Sequence, residues 1–324
     1  MSMSSETREA INAFAIDVKR GLDESPKTLP SRYFYDEKGD ELFQKIMDLD
    51  EYYLTRAEFE IFVRQKDEIL KCFLGNENAF RLVELGAGDG TKTKVLLSHF
   101  LENNADFTYS PIDISENVLE QLQGDLKVEL PSLKVEPIVG EYFSALEDLA
   151  ANDKAKEIVL FLGSNIGNFD KSSGVGFLTH IGENLSAGDM LLIGFDLMKS
   201  PQKILSAYND KEGVTKAFNL NLLIRINNEL GANFNIEDFG HFPTYDPITG
   251  ETKSHIVSKK EQTVYVEALD ESYSFDAWEA IHTEVSQKYS MKMIEAYAIE
   301  SGFEIVKNFR DSNQYFVDSL WRKL

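Results

Sequence analysis

Short apolar runs alternate with amphipathic stretches along the middle of this chain. The apolar runs are residues 82–85, 107–112, 133–139, 157–162 and 189–197. Between them, hydrophobic side chains recur at helical spacing, most clearly over 115–122 and 175–185. Buried strands that alternate with helices form a parallel sheet. We therefore predict an α/β fold whose core is a doubly wound parallel sheet.

The pattern changes on both sides of this region. Residues 6–22 and 61–73 each predict an amphipathic helix. Beyond Ser200, helical spacing over 204–208 and 214–230 is followed by a segment rich in glycine, proline and β-type residues. This insert of about 85 residues is too long for a simple connection. We predict that it belongs to a second, smaller α+β lobe that covers the site.

The insert also carries its own strand signals, and the sheet is completed after it. A turn is predicted at residues 247–250, and the alternating run 262–266 is typical of a half-buried strand. Residues 284–298 return to the pattern of a protein core. The segments around 303–306 and 315–317 are expected to supply the last strands of the main sheet.

A glycine-rich turn follows the first apolar run. Gly86, Gly88 and Gly90 stand at alternate positions, and a helical pattern begins at Lys94. Glycines let the backbone turn tightly and approach a ligand, while the next helix directs its N–H groups to the same place. The turn therefore predicts a nucleotide cradle, although its spacing differs from the GxGxxG of dinucleotide enzymes.

Acidic and aromatic residues follow the next two strands. Asp113 ends the second apolar run, where a doubly wound fold binds ribose hydroxyls. Glu141 and Tyr142 follow the third run and are candidates to bracket an adenine. Together with the glycine turn, Asp113 makes nucleotide binding a more specific prediction than either feature alone.

Polar residues suited to an amino-acid ligand follow the fourth strand. Gly163 and Asn168 lie in GSNIGN, directly after a wholly apolar run. The carboxyl ends of parallel strands form the ligand crevice of open α/β sheets. An asparagine amide both donates and accepts hydrogen bonds, which suits an ammonium and a carboxylate. Tyr52 is a further candidate, because a buried tyrosine hydroxyl needs a polar partner.

Composition narrows the possible partners. The formal net charge is −22, and this acidic balance argues against nucleic acid and anionic membrane surfaces. The single Cys72 excludes an internal disulfide and suits a reducing compartment. No run approaches the roughly 18 to 20 apolar residues of a membrane span. We expect a cytoplasmic monomer with a small-molecule substrate.

Other catalytic classes lack their signatures. The five histidines are scattered without metal-ligand spacing, so we expect no metal site. Gly163-Ser164 does not fit the GxSxG elbow of hydrolases. Cofactor-dependent group transfer is the remaining interpretation.

Six ordered motifs carry a resemblance to a known family. They resemble the histidine-specific, S-adenosylmethionine (SAM)-dependent Nα-methyltransferases that make trimethylhistidine (hercynine) in ergothioneine biosynthesis. The resemblance covers nearly the whole chain. The motifs are SRYFYDEKGDELFQKI, DEYYLTRAE, LVELGAGDGTKT, LFLGSNIGNFD, AYND with VTKAFNLNLL, and HTEVSQKY.

The resemblance implies a Rossmann-like SAM-dependent methyltransferase domain and a substrate-binding lobe. The expected bounds are 61–199 with 284–324 for the SAM-binding domain, and 1–60 with 200–283 for the substrate lobe. The implied cofactor contacts are Gly86, Gly88, Lys92, Asp113, Glu141 and Tyr142. At the last pair, Asp-Phe is more usual in the family.

The resemblance also implies the substrate contacts and the substrate. They fall on Tyr52, Gly163, Asn168, Tyr208, Glu284 and Ser286. In the family, the last two residues read an imidazole ring, and relatives that methylate an indole amino acid lack this glutamate. Histidine is thus the expected substrate. Catalysis is expected to rest on positioning by Tyr52 and Asn168, with no protein nucleophile.

One departure keeps alternatives open. Family members carry a methionine near the imidazole, where this chain has Ser254, His255 and Ile256. A differently shaped pocket would favour an N-methyltransferase of another amino acid or amine. From other classes, a non-catalytic SAM- or amino-acid-binding protein fits the same pocket residues, while a nucleotide-dependent oxidoreductase fits the glycine spacing poorly.

Overall fold

The computed structural model describes residues 5–75, 79–152 and 156–324. The chain divides into two compact units. The insert unit comprises Met1–Tyr53 and Lys199–Ser286, and the sheet unit comprises Leu54–Met198 and Gln287–Leu324. Residues 1–4 of the predicted substrate lobe lie outside the described residues.

Helices occur in both units. In chain order they are α1 (Ser5–Asp23), α2 (Glu37–Asp48), α3 (Leu54–Leu74), α4 (Thr93–Glu102), α5 (Glu116–Glu129), α6 (Tyr142–Asn152), α7 (Lys171–Glu183), α8 (Pro201–Tyr208), α9 (Val214–Leu230) and α10 (Met291–Glu300). Short 3-10 helices span Ser31–Phe34, Asn165–Asn168, Ile236–Asp238 and Glu267–Leu269.

The strands fall into three sheets. In chain order they are β1 (Ala79–Leu85), β2 (Asp106–Asp113), β3 (Lys134–Val135), β4 (Ile138–Val139), β5 (Glu157–Phe161), β6 (Met190–Asp196), β7 (Phe239–Tyr245), β8 (Glu251–Ser258), β9 (Gln262–Val266), β10 (Glu271–Phe275), β11 (Ala280–Gln287), β12 (Phe303–Arg310) and β13 (Phe316–Lys323).

The sheet unit is built on an eight-stranded sheet of order β12-β13-β6-β5-β1-β2-β3, with β4 also paired to β2. Its central strands are parallel, whereas β13 runs antiparallel to both β6 and β12. The side chains of β5 and β6 are buried along the full length of each strand, because helices cover both faces of such a sheet. The predicted doubly wound α/β sheet is thereby confirmed.

The third predicted strand is the main local error. Residues 133–139 were expected to form one strand, but they form the two-residue strands β3 and β4 on either side of Glu136 and Pro137. Proline has no N–H to donate, so a continuous ladder cannot pass through it. The Glu136 N–H still donates to the Tyr109 carbonyl, at 2.8 Å. The pairing to β2 therefore resumes at Ile138.

Local capping explains where two helices begin. Ser115 is the N-cap of α5 and accepts from the Val118 N–H at 3.4 Å. Asp170 caps α7 in the same way and accepts from the Ser173 N–H at 3.0 Å. These side chains satisfy backbone donors that the first helical turn leaves unpaired.

The insert unit has a hydrophobic core of its own. A three-stranded sheet of order β11-β8-β7 and the β9-β10 hairpin accompany α1, α2, α8 and α9. Phe34, Phe239 and Ile256 are among its fully buried side chains. The β7-β8 hairpin turns over residues 246–250, as predicted. None of the described helices of either unit is long and apolar enough to cross a membrane.

Candidate functional site

The predicted cofactor residues lie at one edge of the main sheet. Gly86 follows β1, Asp113 ends β2, Glu141 follows β4 and Tyr142 begins α6. Because these strands are parallel, their carboxyl ends meet at the same edge. The strand order changes direction between β1 and β5, and this is where open α/β sheets bind ligands.

Gly86 and Tyr142 are in direct proximity. Gly86 has a φ of 71°, and a Cβ added there would stand 2.6 Å from the Tyr142 hydroxyl. Burial, with the neighbouring charges of Asp113 and Glu141, raises the pKa of Tyr142 to about 12. Its phenol is therefore neutral and able to donate. Four residues predicted from three loops are thus brought together in the sheet unit.

The turn leaves room beside its backbone. Gly88 has a φ of 54°, and a Cβ added there would meet nothing within 4 Å among the described residues. Glycine tolerates this left-handed conformation, which side chains disfavour. An open backbone at the carboxyl end of β1, with the carboxylates of Asp113 and Glu141 nearby, fits the phosphate-free nucleoside portion of SAM.

Lys92 extends this site toward the loop after β5. Its ammonium donates to the Glu58 carboxylate, and the other oxygen of that carboxylate accepts from the Gly163 N–H at 2.7 Å. A Cβ added to Gly163 would lie 3.6 Å from the Lys92 Nζ. Although burial alone would lower the pKa of Lys92, the charge and hydrogen bond of Glu58 raise it. Lys92 is therefore a cation suited to an anionic ligand group.

A buried carboxyl group connects the elements on either side of the glycine turn. Glu84 is 4% exposed and accepts from the Thr93 hydroxyl at 2.7 Å and the Tyr109 hydroxyl at 2.5 Å. Burial raises its pKa to about 7, although both hydrogen bonds act in the opposite direction. Glu84 thereby ties the start of α4 to β1 and β2.

In the insert unit, Tyr208 and Ser286 are hydrogen-bonded to each other. The Tyr208 hydroxyl donates to the Ser286 hydroxyl oxygen at 2.8 Å, and both residues are buried. Tyr35 is 44% exposed, yet partial desolvation of its hydroxyl, with the charges of Glu284, Asp40 and Tyr208, raises its pKa above the ordinary value. Tyr35 therefore lies within electrostatic reach of Glu284 and Tyr208.

Aromatic contacts join Tyr52 to the same group. The ring centroids of Tyr52 and Phe43 are 6.3 Å apart, and those of Phe43 and Tyr35 are 5.6 Å apart, both edge-on. Tyr35 was not singled out from the sequence. It lies in the SRYFYD segment that carried the family resemblance. Among the other aromatic residues of that segment, no sequence signal distinguished it from a packing side chain.

Ser254 lies on the strand beside Glu284. It is 1% exposed on β8, and its carbonyl accepts from the Thr283 hydroxyl at 3.0 Å. Its own hydroxyl has no hydrogen-bond partner among the described residues. A buried hydroxyl without a partner costs free energy.

The predicted residues divide between the units. The sheet unit holds Gly86, Gly88, Lys92, Asp113, Glu141, Tyr142, Gly163 and Asn168, and the insert unit holds Tyr52, Tyr208, Glu284 and Ser286. Asn168 is exposed at the end of a 3-10 helix. Glu284 stands on β11. Within the described residues no group of His, Cys, Asp and Glu side chains is arranged to hold a metal ion.

Comparison with known proteins identifies the family. Residues 14–323 match the family described as "Histidine-specific methyltransferase, SAM-dependent". The histidine N-alpha-methyltransferase of Mycolicibacterium smegmatis is 34% identical over 293 residues, which cover 90% of this chain and 89% of that protein. The protein of the same name from Mycobacterium tuberculosis is 34% identical over 307 residues, covering 95% of this chain and 94% of the relative.

More distant relatives and solved structures agree on the fold. Ergothioneine biosynthesis protein 1 of Schizosaccharomyces pombe is 32% identical over 242 residues, which cover 73% of this chain and 31% of that protein. Among solved structures, mitomycin 7-O-methyltransferase superposes with a TM-score of 0.51 at 12% identity, covering 98% of this chain and 67% of that one. At this identity the likeness concerns the fold alone.

Proposed function

The chain belongs to the family of SAM-dependent, histidine-specific methyltransferases, and from this premise we propose that it methylates the α-amino group of L-histidine. The product of complete transfer is trimethylhistidine (hercynine), an intermediate of ergothioneine biosynthesis, in keeping with the name of the fission-yeast relative. The observation that carries the proposal is the polar group of Tyr208, Ser286, Glu284 and Tyr35 in the insert unit.

This polar group suits an imidazole ring and a carboxylate. Glu284 accepts hydrogen bonds, and the Ser286 hydroxyl both donates and accepts, so together they match the N–H and the lone pair of a neutral imidazole. We assign Tyr208 to the substrate carboxylate and Tyr52 to orientation of the amino-acid head. In the sheet unit, Gly163 and Asn168 are assigned as further substrate contacts.

The cofactor assignment rests on the sheet unit. We assign the ribose hydroxyls of SAM to Asp113, the adenine to Glu141 and Tyr142, and the methionine carboxylate to Lys92. Gly86 and Gly88 give the ligand access to the backbone. When bound, SAM supplies a methyl group on a positively charged sulfur.

Catalysis by the protein is then a matter of position. The side chains hold a neutral amine with its lone pair directed at the methyl carbon, at a near-attack distance of about 3 to 3.5 Å. They also exclude water, which would otherwise solvate the amine. No side chain is required as a nucleophile, and the α-ammonium must lose its proton before each transfer.

Mass spectrometry of purified protein with SAM and an equimolar mixture of amino acids tests the proposal. We expect histidine alone to gain mass, up to three methyl groups. A gain on a different amino acid would replace histidine as the substrate. If no amino acid gained mass while SAM still bound, the protein would be a non-catalytic SAM- or amino-acid-binding protein.

A second candidate function is methylation of a related amino acid or amine. The Ser254 hydroxyl, which is buried without a partner among the described residues, favours it. The resembled family carries an apolar methionine in the stretch where this chain has Ser254, His255 and Ile256. A ring that offers an additional polar atom toward β8 would use this hydroxyl. The amino-acid mixture above should therefore include ring-substituted histidines.

We also propose that the protein acts as a cytoplasmic monomer without a nucleic-acid partner. The single cysteine and the net charge of −22 support this setting. Size-exclusion chromatography with light scattering should give a mass near 36.8 kDa. A mass of twice that value would identify a dimer.

A further inference from the structure

Glu58 is a buried charge that the assignments above leave without a function. It lies on α3, within the DEYYLTRAE segment, and is fully buried. Its two carboxylate oxygens have different partners. One accepts from the Gly163 N–H at 2.7 Å, and the other accepts from the Lys92 ammonium. One carboxylate thus joins a cofactor-binding candidate to a substrate-binding candidate, and all three residues belong to the sheet unit.

The surrounding strands are shaped to admit this carboxylate. A Cβ added to Gly194 on β6 would stand 2.5 Å from a Glu58 oxygen, so only glycine fits at that position. Asp318 on β13 is also fully buried beside Glu58. Burial, together with the Glu58 charge, raises the pKa of Asp318 well above its ordinary value. The Glu58 carboxylate and the Lys92 ammonium form an ion pair inside the sheet unit.

We propose that Glu58 is a positioning residue that couples cofactor binding to substrate binding. It holds the Lys92 ammonium and the Gly163 backbone in fixed positions at the carboxyl edge of the sheet. This inference rests on the proposed function, because it takes Lys92 as the cofactor contact and Gly163 as the substrate contact. It adds a residue that touches neither ligand.

Geometry gives the coupling its physical basis. A ligand carboxylate that binds Lys92 shares the ammonium with Glu58 and restricts the motion of both side chains. The Glu58–Gly163 hydrogen bond transmits that restriction to the loop after β5. A ligand on this loop then binds to a backbone that is already ordered, so less conformational entropy is lost. By linkage, each ligand raises the affinity of the other by the same factor.

An ion pair of purely structural importance would behave differently. Removing one partner of such a pair lowers stability. Removing that partner would not change how the affinity for one ligand depends on the presence of the other. The distinguishing quantity is therefore the ratio of the Kd for S-adenosylhomocysteine (SAH) without histidine to that with saturating histidine, measured by calorimetry. This ratio does not depend on turnover.

The test compares Glu58→Gln with Glu60→Gln. Glu60 is a matched control on the same helix, since its carboxylate also accepts from a backbone N–H, that of Ser312 at 3.1 Å, and from a cation, Arg64 at 2.8 Å. We expect the wild-type ratio to exceed one. Glu58→Gln should weaken SAH binding about tenfold and bring the ratio close to one. Glu60→Gln should leave both within twofold of the wild type.

Two results with the wild type and the single variants would overturn the inference. The first is a wild-type ratio of one. The second is a Glu58→Gln variant whose SAH affinity and ratio equal those of Glu60→Gln. If Glu58→Gln leaves Lys92 too poorly paired to fold, the double variant Glu58→Gln/Lys92→Met removes the unpaired cation. It should fold and show a ratio of one, and a wild-type ratio in this double variant would contradict the inference.

The outcome is independent of the test of the proposed function. Mass spectrometry of the wild type decides whether histidine is methylated. A protein that methylates histidine but shows no change on Glu58→Gln would retain the function and lose this inference. A protein that methylates another amino acid would be tested with that amino acid in place of histidine.

Discussion

Glu284 and Ser254 stand on neighbouring strands of the insert unit and differ in the hydrogen bonds that their side chains can make. Glu284 brings a carboxylate that accepts hydrogen bonds, and Ser254 brings a buried hydroxyl without a partner among the described residues. A substrate ring with both an N–H and a lone pair would satisfy such groups. At the scale of single residues, substrate choice therefore depends on hydrogen-bond matching.

Replacing Glu284 tests this matching directly. We expect Glu284→Ala to lower kcat/KM for histidine by roughly 100-fold, since losing a charged hydrogen-bond partner costs about 3 kcal/mol. Most of the loss should appear in KM. Glu279→Ala is the control, because Glu279 precedes the same strand and pairs with Lys27 at 2.5 Å. Full catalytic efficiency in Glu284→Ala would show that the assignment is wrong.

Ser254 offers a second test, with a matched serine on the same strand. We expect Ser254→Ala to raise KM for histidine about fivefold while the melting temperature stays constant or rises, because a hydroxyl without a protein partner is removed. Ser258→Ala should behave in the opposite way. The Ser258 hydroxyl donates to the Lys260 carbonyl at 2.8 Å and accepts from the Gln262 amide at 2.6 Å. A drop in melting temperature for Ser254→Ala would contradict this account.

At the scale of elements, the turn between β1 and α4 is fixed by side-chain contacts at two points. Tyr142 closes over Gly86 from the start of α6, and Glu84 anchors the beginning of α4 through Thr93. The turn is therefore a rigid connection, with its geometry set by three neighbouring elements. Changes on either side of it should affect cofactor affinity and stability together.

Gly86→Ala is expected to weaken SAH binding by at least tenfold and to destabilise the fold by about 1 to 3 kcal/mol, because φ is positive and the new methyl would meet the Tyr142 hydroxyl. Calorimetry and chemical denaturation measure the two effects. Gly124→Ala on α5 is the control. A Cβ there meets nothing within 4 Å among the described residues, so we expect unchanged SAH affinity and a gain of up to about 1 kcal/mol. If Gly86→Ala and Gly124→Ala bound SAH equally well, the contact between Tyr142 and Gly86 would be refuted as a determinant of cofactor affinity.

The Glu84 carboxyl should make stability depend on pH. Its pKa is about 7 in the folded protein and 4.5 ordinarily. The native state therefore retains a proton that the unfolded chain has lost, and stability should fall as pH rises from 4.5 to 7. Chemical denaturation should be measured between pH 5 and 8. Over that window, the free energy of unfolding of Glu84→Gln should rise relative to that of the wild type by roughly 3 kcal/mol. Parallel pH curves would contradict the raised pKa.

At the scale of the whole molecule, each unit has its own core and the chain carries a large excess of negative charge. One cluster of buried hydrophobic side chains, which includes Phe161 and Trp321, lies in the sheet unit, and another, which includes Phe34 and Ile256, lies in the insert unit. The formal net charge of −22 is distributed over 324 residues. Self-repulsion at such a charge opposes the compact state.

Salt should therefore stabilise the protein. We expect the melting temperature to rise by a few degrees as NaCl increases from about 0.01 to 0.15 M, where the Debye length falls from about 30 to 8 Å. Near pH 5 the effect should shrink, because the sequence pI is about 4.6. A melting temperature that decreases with salt at pH 7.5 would show that attractive ion pairs outweigh the repulsion.

The hydrophobic pattern was sufficient for the elements that one dominant periodicity describes. β1, β2, β5, β6, α9 and β9 lie where the pattern predicted them, because buried strands and helices must repeat apolar side chains at fixed intervals. It failed at residues 133–139, where Pro137 interrupts the ladder within an otherwise apolar run. The α3 helix also begins at Leu54, ahead of the predicted Ile61, and the buried face of its first turns carries the charged Glu58 beside Leu54 and Ala57.

The sequence by itself determined the α/β class, the glycine turn, Asp113 at the end of β2 and the family, because these depend on local periodicity and on residues close together in the chain. Only the tertiary structure decided that Glu58 bridges Lys92 and Gly163, that Tyr35 lies near Glu284, and that the Ser254 hydroxyl is buried without a described partner. Those contacts join segments far apart in sequence. Their side chains meet through packing, which no local pattern records.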